Sequence, residues 1–155
     1  MEIKSYLVEV HLIRIINSEP QFLLLKRAEN ESYPGIWQMV TGSIDENETA
    51  IQTALREINE ETSLTPVKLW VVPNVNSFYS AEKDNICLVP VFVALINDDS
   101  KFQISNEHSN FKWVNNLEAK KLLAWSGQIK SVDIIYDFFC NKESTYKFIE
   151  LNLEN

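Results

Sequence analysis

Three glutamates at positions 57, 60 and 61 lie close together in the stretch GSIDENETAIQTALREINEETSL, from Gly42 to Leu64. On a helix, residues three and four apart share a face, so Glu57 neighbours both Glu60 and Glu61. Two carboxylates about 5 Å apart at an effective dielectric of about 20 repel by roughly 3 kcal/mol. The acids also fall at the C-terminal end of the helical pattern, where the macrodipole already disfavours negative charge. Glu48 adds a fourth carboxylate near the helix start, and Arg56 places a cation inside the acidic group. Oxygen-rich clusters of this kind suit hard divalent cations such as Mg²⁺ or Mn²⁺. The cluster therefore predicts a divalent-metal site, with bound cations relieving the repulsion between the acids.

The elements that must hold these acids are legible from the hydrophobic periods. Tyr6–Ile16 alternates and is rich in β-branched residues; after the turn at Asn17–Pro20, Gln21–Arg27 forms its antiparallel partner. Ile36–Gly42 reads as a third extended run. Ala50–Glu61 then changes to helical spacing through Ala50, Ile51, Ala54, Leu55 and Ile58, with Asn47 or Thr49 as cap. Val67–Phe78, Ile86–Ile96 and the short Phe111–Val114 read as strands, and Leu117–Leu123 and Ile129–Phe139 as helices. Strands outnumber helices, and a mixed sheet flanked by helices is the simplest packing.

Composition bounds the rest. A length of 155 residues without repeats or linkers predicts one domain over 1–155. The net charge of −8 argues against a broad basic face for nucleic acid. No run of about 18 apolar residues offers a membrane span, and the N-terminus lacks a cleavable apolar leader, so a cytoplasmic location is expected. Cys87 and Cys140 show no metal-binding spacing and read as reduced thiols. No phosphate-binding P-loop occurs.

Gly42, five residues, Glu48, seven residues, Arg56-Glu57-Ile58, one residue and Glu60-Glu61, closing on Leu64, resembles the signature of the Nudix hydrolases. Ser63 stands where that family usually has glycine, and serine in a left-handed turn costs on the order of 1 kcal/mol. The resemblance implies an α/β/α sandwich and metal-dependent hydrolysis of a phosphoanhydride. It further implies Glu60 and Glu61 as direct metal ligands, Glu57 as a ligand or water-orienting group, and the Gly42 carbonyl as a backbone ligand. Arg56 is then a positioning residue, holding Glu48 or Glu60. Glu107, in SNEHSNFKWVN, is expected as an additional metal ligand or general base, with His108 as a lesser participant.

GIWQMVTGSIDENETA and the downstream NEHSNFKWVN and Trp125-Ser126 regions resemble the bacterial dihydroneopterin triphosphate pyrophosphohydrolases. That likeness implies a pterin triphosphate cleaved to monophosphate and pyrophosphate. Nucleoside triphosphates, dinucleoside polyphosphates and nucleotide sugars are alternatives, and a non-catalytic ligand-binding module is a further one. Trp37, with Phe78 or Tyr79, is expected to stack on a flat ring. Lys26 and Arg27 are expected to reach a phosphate, Arg27 the better through its planar fork. The sequence leaves monomer and homodimer both open.

Overall fold

The computed structural model describes residues 1–153; the last two positions of the expected 1–155 unit lie outside them. In chain order the elements are β1 (Glu2–Lys4), β2 (Leu7–Ile16), β3 (Glu19–Arg27), β4 (Trp37–Gln38) and β5 (Val40–Ser43). There follow α1 (Ala50–Thr62), β6 (Lys68–Ser80), β7 (Asn85–Leu95), β8 (His108–Val114), α2 (Asn116–Leu122), α3 (Ser126–Cys140) and β9 (Ile149–Leu151). The expected run Ile36–Gly42 is split, because Met39 separates β4, which pairs with β3, from β5, which pairs with β2. The terminal strands β1 and β9 carry too few alternating apolar residues to be read from sequence.

The nine strands among the described residues join one mixed sheet with the central order β4-β3-β2-β7-β6-β9. β2 is its pivot. One edge of β2 pairs antiparallel with β5 over Leu7–Val10 and with β3 over Ile13–Ile16, while the other runs parallel to β7. Val8, Val10 and Leu12 point into a core cluster with Ala54 and Ile58 of α1. Ile13 points the opposite way, into a second cluster with Val132 and Ile135 of α3 and Ala119 of α2. Both faces of the sheet are therefore covered, giving an α/β/α sandwich in which β2 is buried on both sides.

Helix α1 is fixed at both ends. Thr49 caps it: its hydroxyl accepts from the Gln52 N–H at 3.1 Å, and the Gln52 side chain accepts from the Thr49 N–H at 2.9 Å. At the other end Ser63 adopts the left-handed conformation, φ 59° and ψ 15°, and its N–H donates to the Asn59 carbonyl. The chain thus keeps the turn that glycine ordinarily supplies and bears its steric cost. Ser63→Gly is expected to raise unfolding stability by about 1 kcal/mol in urea titrations, with Ser63→Ala giving no such gain.

Candidate active site

The acids of α1 divide between two sides of the helix. Ala54, Ile58 and Glu61 belong to its buried face, whereas the Glu60 side chain is 57% exposed. Arg56 organises the outer group. Its Nε and Nη2 donate to the two oxygens of Glu48 at 2.8 and 2.9 Å, and Nη1 donates to Glu57 at 2.8 Å and Glu60 at 3.1 Å. Nη2 also donates to the Ser43 carbonyl at 2.8 Å, clamping the β5–α1 loop onto the helix. Arg56 and the Thr53 hydroxyl hold the Glu48 carboxyl down to a pKa of about 2. Glu57 moves the other way: burial raises it, against the pull of Arg56.

Gly42 lies directly against Glu57. A Cβ built on Gly42 would come within 2.1 Å of the Glu57 carboxyl carbon, so this glycine supplies space rather than an unusual backbone angle.

Glu61 belongs to the inner group. Hydrogen bonds from Gln103 and Ser105 N–H to the Thr62 and Glu61 carbonyls dock the loop before β8 onto the end of α1. Ala28 N–H donates to the Glu107 carbonyl at 2.9 Å, tying the same loop to the end of β3. The result brings Glu61, Glu107 and His108 together, with one potential ligand atom from each lying within 4.8 Å of the others. Glu61 is 2% exposed and its Oε2 has no hydrogen-bond partner; both ring nitrogens of buried His108 are likewise unpartnered.

Burial raises the Glu61 carboxyl well above the ordinary range, reinforced by the charges of Glu57 and Glu107. Burial and the charge of Arg27 lower His108 to about 4, so the ring is neutral at pH 7. Its 3.5 Å approach to Glu61 is therefore not an ion pair under those conditions. An unsatisfied carboxylate oxygen beside a neutral imidazole fits a divalent cation, which would satisfy the orphaned atoms. Glu61, Glu107 and His108 are the residues that would hold it.

A cavity of about 710 Å³ opens beside these acids, lined by Glu57, Glu61, Glu107, Gly42 and Arg27 among others. Such a volume suits a nucleotide-sized ligand. The Arg27 guanidinium contacts the Ser32 carbonyl and hydroxyl and lies 3.6 Å from Glu31. Phe78 and Tyr79 line the cavity, but Trp37 and Lys26 do not. The two are cross-strand partners, and Trp37 packs against the α2–α3 core with Lys112 over its ring. The aromatic pair at the cavity is instead Tyr33 and Trp125, edge to face at 5.2 Å. Glu9, Gln38 and Gln128 also border it, unforeseen from sequence.

The NUDIX domain model matches residues 5–133. The chain belongs to the Nudix family. It is 32% identical over 114 residues to the asymmetrical bis(5'-nucleosyl)-tetraphosphatase of Caenorhabditis elegans, covering 72% of this chain and 79% of that one. Dihydroneopterin triphosphate diphosphatase of Escherichia coli K12 is 38% identical over 69 residues, 43% of this chain and 44% of that protein. A crystal structure of a C. elegans Ap4A hydrolase binary complex shares the fold, with TM-score 0.70, 24% identity and coverage of 87% and 97%. The Nudix chain described here is thus a hydrolase acting on phosphoanhydrides. Among the described residues, no helix is long and apolar enough to cross a membrane.

Two outcomes test this geometry. The raised Glu61 pKa means the metal-free fold binds a proton more tightly than the unfolded chain, so stability falls as pH rises through and above the ordinary carboxyl range, 4.5. Glu61→Gln is expected to raise the metal-free Tm at pH 7, with the advantage shrinking by pH 5, and to blunt the Tm increase on adding Mn²⁺. Gly42→Ala is expected to displace Glu57 and lower kcat by about 10-fold or more while far-UV circular dichroism stays unchanged.

Proposed function

We propose that this Nudix hydrolase cleaves a phosphoanhydride of a triphosphate carried on a flat heterocycle, with dihydroneopterin triphosphate as substrate and monophosphate and pyrophosphate as products. The observation that carries the reading is the buried Glu61 carboxylate, with one oxygen left unpartnered, beside Glu107 and neutral His108 at the end of a nucleotide-sized cavity. The pterin choice is supported by the 38% identity to the E. coli dihydroneopterin triphosphate diphosphatase. The C. elegans tetraphosphatase, matched over 72% of this chain, favours a second reading in which a dinucleoside tetraphosphate is cleaved.

In this reading Glu61, Glu107 and His108 would hold the cation, joined by Glu57 and the Gly42 carbonyl from the box, and Glu57 or Glu107 orients the attacking water. Glu60 belongs to the ligand set through the box spacing, although its carboxylate is turned towards Arg56. A bound Mg²⁺ or Mn²⁺ supplies charge neutralisation at the phosphate oxygens and acidifies water. Arg27 donates to the polyphosphate from the cavity wall, and Arg56 fixes the direction of Glu48 and Glu57. Neutral His108 is a donor or acceptor without adding charge. The whole chain works as one domain in the cytoplasm, on freely diffusing small molecules rather than nucleic acid or a membrane surface. Its net charge of −8 accords with that choice.

Product analysis at equal concentrations of dihydroneopterin triphosphate, the four dNTPs and Ap4A, with and without Mg²⁺, tests the assignment. Metal-dependent release of pyrophosphate, fastest from the pterin, is expected; faster cleavage of Ap4A replaces the pterin reading by the second. Glu61→Gln and Glu107→Gln are each expected to lower kcat by at least ~100-fold, and near-normal turnover in Glu61→Gln would remove it from the metal site.

A further inference from the structure

At the edge of the cavity formed by β2, β4, β6 and the start of α3 lies a second set of buried polar groups that hydrolysis does not use. Glu9 is 3% exposed, borders the cavity and carries its carboxylate between two fixed partners. One oxygen lies 2.7 Å from His11 Nε2, and the other accepts from Asn76 Nδ2 at 2.6 Å. Among the described residues no lysine or arginine pairs with it. A carboxylate offers about four acceptor sites, so each oxygen keeps one free. Gln38 and Gln128, 5% and 7% exposed, border the same cavity; Gln38 Nε2 and Gln128 Oε1 have no hydrogen-bond partner.

The frame around these groups is stiff. Asn76 donates to Glu9, accepts from Asn74 at 3.1 Å, and Asn74 in turn donates to Ser131 of α3 at 3.1 Å. Gly127 brings the first turn of α3 so close that a Cβ there would meet Asn76 Oδ1 at 2.7 Å. Exposed aromatic surface of Phe78 and Trp125 borders the opening.

Buried acceptors and donors left open in a cavity cost stability unless a ligand satisfies them. Free acceptor sites on a buried carboxylate call for two adjacent N–H donors, and an open amide N–H calls for a carbonyl. We propose that Glu9, Gln38 and Gln128 form a base-recognition subsite for a fused heterocycle presenting a ring N–H, an exocyclic amino group and a ring carbonyl in a row. Guanine and pterins share that edge; adenine presents an acceptor ring nitrogen where the N–H would be and has no carbonyl. Glu9 accepts from the ring N–H and the amino group, Gln38 donates to the carbonyl, and Gln128 accepts the remaining amino proton. This subsite deepens the pyrophosphohydrolase reading and rests on it for the phosphate end of the substrate. Within that reading it selects pterin or guanine over adenine-bearing compounds.

The test uses nucleosides and a free pterin, which lack phosphate and require no metal. Guanosine, neopterin, inosine and adenosine are titrated into the metal-free protein by isothermal calorimetry, with ligand-detected nuclear magnetic resonance for weak binders. Guanosine and neopterin are expected to bind at least ~10-fold more tightly than adenosine, and inosine, lacking the amino group, several-fold more weakly than guanosine. Glu9→Gln, nearly isosteric, is expected to erase the preference; Gln38→Met serves where the first variant does not fold. Equal binding of guanosine and adenosine, indifference to the amino group, or no binding at millimolar concentration overturns the subsite. Triphosphate hydrolysis is measured in parallel. Its absence with the base preference intact overturns the pyrophosphohydrolase reading alone, and its presence without the preference overturns the subsite alone.

Discussion

The arrangement turns on a single fixed cation surrounded by acids. Arg56 donates to Glu48, Glu57, Glu60 and the Ser43 carbonyl at once, so one guanidinium ties the β5–α1 loop to the helix and offsets much of the repulsion on its outer face. A lysine could not do this, since it lacks the planar fork that engages Glu48 through both oxygens. Arg56 carries one positive charge against three carboxylates, so it orients the outer acids without cancelling them, and it makes no hydrogen bond to Glu61 or Glu107. Those two are the carboxylates grouped with the unpartnered imidazole, and the charge of Glu107 acts on both Glu57 and Glu61.

Two buried carboxylates in one cavity are treated differently, and the contrast separates their uses. Glu9 has His11 and Asn76 at hydrogen-bond distance and is fixed in orientation. Glu61 has an oxygen with no partner at all, and its protonated form is favoured by desolvation. A satisfied carboxylate with spare acceptor sites is suited to reading neutral donors without rearranging. An unsatisfied one is poised for a full positive charge. The ring end and the phosphate end of a substrate make these two demands.

Much of the fold is readable because its periods are strong. The ten residues of β2, the helical spacing of α1 and the apolar stripe of α3 each specify type and approximate ends. The segment Ile36–Gly42 is extended as expected, but its division has a tertiary cause: the backbone on the two sides of Met39 serves two different partner strands, which local pattern does not encode. Position along α1 also gives the acids their faces, since Glu61 falls on the stripe of Ala54 and Ile58. The grouping of Glu61 with Glu107 and His108 is a different matter. It depends on carbonyls at the helix end capturing N–H groups of a loop more than forty residues away, an event with no local signature.

Glu9 was hidden by the ordinary rule for half-buried strands. Polar residues alternating with Val8, Val10 and Leu12 read as a solvent face, yet β2 is covered on both sides and the residues at 9 and 11 are 3% and 1% exposed. A glutamate and a histidine two apart on a central strand are costly unless the fold supplies partners and the site has a use for them. Glu9 and His11 partner each other, and Asn76, packed against the start of α3, supplies the second partner of Glu9. Trp37, by contrast, has the residue type expected for ring stacking, but its strand register with Lys26 turns it onto the α2–α3 core. Residue type proposes a ring contact; strand parity and the coverage of both sheet faces decide which aromatic and which carboxylate border the cavity.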